Sequence, residues 1–443
     1  AGNYYLTDDL AVSAALTVSG GKTINLCLNG HKLTRAGRPL AAYSKGTLNV
    51  CDCSAGKTGE VSATKAHGAK AGLLTIESNA VVNLYKVTLK NGSAAKNNNG
   101  VGNGGAVHVL SGELNVYGGC IEGCKAASAA NGGAVYLEGG SVLLDGVTIT
   151  GCEAAKGSAV YILGTKAPTC TIRGGVIQSN TASGNGAVYV EDGGNLVFSG
   201  APSIQGNTNG NVYLPAGVMV TLASDFSAAA KVGVSIAGVD STTDTQTTFA
   251  TSATDFSKCF TADADGVVTA YVAPAEGETE GKLVLKKYQH IHPICGGASC
   301  EEADHQIGEW KAWDGTGTIP TEGNYYLTAN VTLTANLKPA SGKTLNLCLN
   351  GYELTRRNGR PINASGGTLT ICDCAETGKV SGTVAGELGG LAIVQSSGKL
   401  VLYSGTLTGG EVKKNASGKN GYGGAVSVSA NSTFEMYGGV IEN

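Results

Sequence analysis

Charge is scarce in this sequence: Asp, Glu, Lys and Arg make up 15% of its 443 residues, against a typical ~25%. The net charge is −3 and both signs are scattered singly, which excludes a basic face for nucleic acid and a polybasic patch for a membrane surface. Long apolar runs are missing too. None approaches the ~18 residues that a membrane-spanning helix needs, so no membrane insertion is expected within this chain. Pro is rare (9) and Gly shows no period of three, so collagen is excluded. Met (2) and Trp (2) are almost absent, leaving Tyr (17) as the main aromatic residue. The chain opens Ala1-Gly2 with neither Met nor a signal peptide, and so reads as a processed product or an excerpt.

Gly, by contrast, is abundant, at 68 residues, about twice its usual share. Apolar residues reach 42% and come in short Val/Ile/Leu runs, enough to bury a continuous core and to argue against disorder. The 13 Cys exceed what a cytosolic structural protein usually carries, and an odd number cannot pair completely. Together with the low Met content they point to an extracellular or cell-surface protein.

Internal repetition decides the fold class. Asn3-Tyr-Tyr-Leu-Thr7 returns as Asn324-Tyr-Tyr-Leu-Thr328, residues 24–35 (INLCLNGHKLTR) return as 345–356 (LNLCLNGYELTR), and Cys51-Asp-Cys53 returns as Cys372-Asp-Cys374. Within a unit a finer period appears. NGGAVHV (103–109), NGGAVYL (131–137), GSAVYIL (157–163) and NGAVYV (185–190) follow one another, each trailed by an Ile-x-x-Cys or Ile-x-x-Asn step ending at Cys124, Cys152, Asn180 or Asn207. Three short strands per ~25 residues, punctuated by Gly and Asn, describe one coil of a right-handed parallel β-helix, an all-β solenoid. Val107, Val135, Val160 and Val188 should form one inward column, with Leu114, Val116 and Ile172 also pointing inward. Ala106, Ala134, Ala159 and Ala187 suit a tight corner. Gly supplies positive φ at the bends, and Asn amides can bond to the Asn one coil away. A β-propeller repeats at a similar length, but its Trp-Asp signatures are absent and these repeats are too short for four strands.

The GGAV and Ile-x-x-Asn alternation resembles the GGAI and FxxN repeats of chlamydial polymorphic outer-membrane proteins, a family of β-helical autotransporter adhesins. The Leu-Cys-Leu-Asn-Gly and Cys-Asp-Cys patterns are similar to those of large β-helix surface proteins of gut Firmicutes. The resemblance covers residues 3–214 and 324–443, and implies a surface β-helix far more specifically than it implies an activity. Four segments follow. Residues 1–214 are β-helix unit one, 215–288 irregular β coils or a small cap of that unit, 289–321 a connector rich in His, Cys and Trp, and 322–443 an incomplete β-helix unit two.

The connector carries the one cluster of metal-type ligands, His290, His292, Cys295, Cys300 and His305. Four of these five could close a tetrahedral zinc site, and a Cys295–Cys300 disulfide is the competing reading. Cys27 with Cys51, Cys348 with Cys372, and Cys124 with Cys152 sit one coil apart; each pair is a candidate disulfide, with reduced stacking in the core the favoured reading. Asp263-Ala-Asp265-Gly266 holds part of a calcium-loop pattern but lacks its closing Glu, and reads as a turn. Asp8-Asp9 has no counterpart at Ala329-Asn330. Acids in the regular coils (Glu138, Asp145, Glu153, Glu191, Asp192) are sparse and read as solvated loops. No catalytic constellation and no cofactor-binding motif stands out, so the chain is read as not an enzyme. The expected function is an extracellular structural or adhesive fibre or stalk, extended by self-association end to end or by covalent continuation into further repeats. The alternatives are a carbohydrate- or host-protein-binding adhesin that uses Trp310 and Trp313, and a β-helix polysaccharide lyase or glycoside hydrolase.

Overall fold

Alternation sets each strand. In Gly112–Tyr117, Leu114 and Val116 are buried while Asn115 and Tyr117 face outward, and Ser141–Asp145 repeats this with Val142 and Leu144 inside. Stacking such strands in register gives a parallel β-helix in the computed structural model. The structure describes residues 1–442 apart from 69, 97–101, 243–245, 296–306, 358, 383–388 and 413–421. The chain divides into two compact units, 1–288 and 289–443, so the connector belongs with the second unit. No helix among the described residues is long and apolar enough to cross a membrane.

Unit one has three faces. The first stacks Gly2–Tyr5, Thr23–Cys27, Thr47–Cys51, Ala80–Tyr85, Gly112–Tyr117, Ser141–Asp145, Thr169–Arg173, Asn195–Ser199 and Thr221–Leu222, each parallel to the next. On the third face, Val107 pairs with Val135, Val135 with Val160, and Val160 with Val188, and all four are fully buried. The inward column is therefore present as expected. Ala106, Ala134, Ala159 and Ala187 are fully buried ahead of it. The NGGAV motif has a steric cause: Gly132 takes φ +72°, and a Cβ on Gly105 would lie 2.0 Å from the Gly133 carbonyl oxygen of the next coil.

The second face, which stacks Thr88–Lys90, Cys120–Glu122, Thr148–Thr150, Val176–Gln178 and Ser203–Ile204, turns into the third through the Ile-x-x-Cys/Asn step. The Asn180 amide donates to the Ile149 carbonyl of the previous coil (3.0 Å), while its Oδ1 accepts the Cys152 N–H (3.0 Å). Asn207 repeats the contact with Ile177 O at 2.9 Å. Cys124 and Cys152 hold the same corner through their thiols and are buried and unbonded.

Residues 215–288 do two things. Lys231–Ile236 pairs with both Ser203–Ile204 and Val212–Leu214, so one strand continues two faces. Beyond it, Thr247–Ser252, Gly281–Lys287 and Val267–Val272 form an antiparallel sheet. Phe198, Phe226, Phe249, Phe256 and Phe260, five of the six Phe in the chain, meet ring to ring at this end of the unit.

Unit two restarts the pattern. Gly323–Leu327, Thr344–Cys348 and Thr368–Cys372 pair as Gly2–Tyr5, Thr23–Cys27 and Thr47–Cys51 do, with Cys348 opposite Cys372 as Cys27 is opposite Cys51. The connector contributes the strand Lys311–Trp313, which pairs with Gly323–Leu327, and the antiparallel pair Ile291–Pro293 and Ile307–Glu309.

Candidate metal centre

The outward ends of the first-face strands carry the cysteines. In Thr344–Cys348, Leu345 and Leu347 fill the core, so Cys348 faces out. It is nonetheless fully buried, packed among Trp310 of the connector, Tyr326 and Cys372. Cys374, two residues past the next strand, sits on the solvent side with its Sγ 3.5 Å from that of Cys348. The connector brings His290 and His292 onto the same spot. Their Nε2 atoms are 2.8 Å apart, and His290 Nε2 is 3.8 Å from Cys374 Sγ. Ligand atoms of His290, His292, Cys348 and Cys374 all lie within 4.8 Å of one another.

The rings are held from outside. Tyr326 stacks on the His290 imidazole with centroids 4.2 Å apart and planes 8° from parallel. Trp310 donates its indole N–H to the His292 carbonyl (3.2 Å). His292 Nδ1 lies 2.6 Å from the Pro293 carbonyl oxygen. An Nδ1 that donates its proton there directs the Nε2 of the ring into the cluster as its ligand atom. The hydrogen bond with Cys372 pushes the Cys348 thiol up to about 12, and Cys348 in turn raises Cys374.

Sequence reasoning placed the ligands within the connector, and the structure redistributes them. His290 and His292 join the cluster, Cys295 is outside it, and Cys300 and His305 fall outside the described residues. The two sulfurs come instead from unit two, at Cys348 and Cys374. The signal for them was the Cys-Asp-Cys repeat, which marks the duplication and the family resemblance, while Cys348 stood only as a candidate disulfide partner of Cys372. The paired cysteines also differ from the expected set. Cys27 is bonded to Cys53, with Cα atoms 6.4 Å apart, while Cys51 is free. In-register neighbours such as Cys27 and Cys51 point the same way, and the chain must turn past the strand end to bring a sulfur across. Cys27 and Cys53 are the counterparts of Cys348 and Cys374 in unit one.

The Asp of each Cys-Asp-Cys is structural. Asp52, 4% exposed, accepts the backbone N–H groups of Gly30 (2.8 Å), Ser54 (3.0 Å) and Gly59 (2.7 Å). Burial alone would raise its pKa, but the hydrogen bonds from Gly59 and Ser54 outweigh it and the net shift is downward. Asp373 likewise accepts the backbone N–H groups of Gly351 (2.7 Å) and Gly378 (2.5 Å). Asp9, expected to lack a counterpart, has one: its Oδ1 accepts the Lys32 N–H, as Asn330 Oδ1 accepts that of Glu353.

Three of the coil acids are engaged by their neighbours. Glu138 meets His108 at 3.0 Å and Lys166 at 2.9 Å, Glu191 accepts from the Tyr161 hydroxyl and the Gly164 N–H, and Glu153 pairs with Lys125. Asp263, in the bend after Phe260–Ala262, accepts the N–H and side-chain amide of Asn211, 52 residues earlier in the chain. The sequence reading passed over a ladder of Tyr136, Tyr161, Tyr189 and Tyr213, stacked 5.1–5.2 Å apart along the third face. Its signal was the central Tyr of each Val-Tyr-x strand. Trp310 and Trp313 are 4% and 6% exposed, packed inside unit two rather than offered to a ligand. Comparison of the chain with family models, with curated proteins and with solved structures finds no match.

Proposed function

We propose that the protein is an extracellular structural protein of a bacterial surface, with β-helix units following one another to build an elongated stalk. The observation that carries this reading is duplication with preserved register. Thr344–Cys348 and Thr368–Cys372 meet as Thr23–Cys27 and Thr47–Cys51 do, and the same buried Asp turn follows each pair. Repetition of a whole unit lengthens a support, whereas an active site gains little from it. The Cys27–Cys53 disulfide suits an oxidising compartment outside the cytosol. Glu138, Glu153 and Glu191 are engaged by neighbouring His, Lys, Tyr and backbone groups, which favours a scaffold over a polysaccharide-cleaving site. Burial of both Trp favours it over an adhesin that uses those rings.

The test pairs localisation with ligand screening. Antibodies against unit one should label the outside of intact cells that make the protein. The purified chain should bind no member of a glycan array and release no reducing sugar or unsaturated product from polysaccharides. Label confined to the cytoplasm would overturn the reading, specific glycan binding would establish the adhesin, and product release the enzyme.

A further inference from the structure

We infer that His290, His292, Cys348 and Cys374 hold a zinc ion that fastens the connector onto the second β-helix unit. Bonds of about 2.0–2.3 Å to nitrogen and sulfur place the ligands of a tetrahedral zinc about 3.3–3.8 Å apart. The sulfurs are 3.5 Å apart and Cys374 Sγ is 3.8 Å from His290 Nε2, so two edges already have that length. The two Nε2 atoms, at 2.8 Å, need to part by about 0.5 Å to reach it.

The chemistry of the set agrees with its size. Two thiolates and two imidazoles match zinc and not calcium or magnesium, which take oxygen ligands. His292 is fixed in the tautomer whose Nε2 faces the cluster, by the carbonyl that a metal-bound histidine typically uses. Four protein ligands leave no open position, so the site is structural rather than catalytic. Binding displaces the thiol protons of Cys348 and Cys374, and Cys374 on the solvent side gives the ion its entry.

Comparison of the units argues the same way. Cys27 and Cys53 are joined covalently, whereas Cys348 and Cys374 at the same places are separate thiols with two imidazoles beside them. In the second unit the ion takes the place of the disulfide and adds a tie to residues 84 positions away in sequence.

The test uses the whole chain, purified without chelator. Elemental analysis should find about one zinc per chain, and Cys374→Ser or His292→Ala should lose it while Cys295→Ser keeps it. Because a variant could fail to fold, the unaltered chain supplies a second readout. Replacement of zinc by cobalt(II) should give the absorption bands of a tetrahedral site with thiolate ligands. Chelator should expose Cys348 and Cys374 to alkylation and leave Cys27 and Cys53 inert. A Cys348–Cys374 disulfide in peptide maps would overturn the inference. So would an unaltered chain that takes up neither zinc nor cobalt after reduction, or zinc that leaves with Cys295→Ser and stays with Cys374→Ser.

Discussion

At the scale of single residues, the Asp between the two cysteines is the clearest case of a side chain doing a backbone's work. Asp52→Asn keeps the volume but turns an amide NH2 toward N–H donors. It should lower the stability of unit one by about 1–3 kcal/mol, read from the denaturant midpoint. The His108–Glu138 pair makes the second prediction. Burial pushes His108 below its ordinary value of 6.5, so the folded ring is neutral and donates its Nε2–H to the carboxylate. The hydrogen bond from His108, helped by Lys166, holds Glu138 at about 2 against an ordinary 4.5. Both folded-state values are depressed, so the unfolded chain takes up protons first and acid destabilises. Stability should fall as pH drops below 6.5 through His108, and again between 4.5 and about 2 through Glu138. Glu138→Gln should flatten the lower step in urea midpoints measured across that range, and an unchanged step would remove this pair as its cause. None of this pairing was legible in the sequence, because His108 and Glu138 are 30 residues apart and meet only once the coils stack.

At the scale of strands and coils the sequence was far more readable. Period-two alternation and the ~25-residue recurrence placed the Val107 to Val188 column, because each coil has only one register that buries its apolar side. Val160→Asp should therefore cost roughly 3 kcal/mol or more, since the carboxylate would replace a fully buried side chain between Val135 and Val188. A loss within a few tenths of a kcal/mol in denaturant titration would contradict the column. The side-chain amide ladder was foreseen at the bends, and the structure extends it. At the bend it joins Asn180 to Asn207 (3.0 Å), and a longer run lies along the outside of the first face, from Asn25 to Asn3 (2.6 Å), Asn49 to Asn25 (2.6 Å), Asn83 to Asn49 (2.7 Å) and Asn115 to Asn83 (3.0 Å). Asn49→Ala breaks two of these bonds at half-buried positions and should cost about 1–2 kcal/mol. The antiparallel sheet after residue 246 was less legible. The apolar strands at 267–272 and 282–287 can be read from the residues, but no repeat aligns them, although the gathering of Phe between 198 and 260 marks where the regular coils end.

At the scale of the whole chain, the 321-residue offset announced two units, whereas the metal cluster was half hidden. Its histidines lie in a segment that repeats nowhere else in the chain, and its cysteines lie in one that does, so no local spacing joins them. Since unit one holds its own core and its own disulfide, residues 1–288 expressed alone should fold cooperatively with the β-rich circular dichroism of the full chain. The proposed stalk is tested most directly by negative-stain electron microscopy of the native protein from its source. If units are added in series, the particles are thin rods or filaments that lengthen with the number of units. Uniform globular particles, unchanged in length when a unit is deleted, would contradict the account.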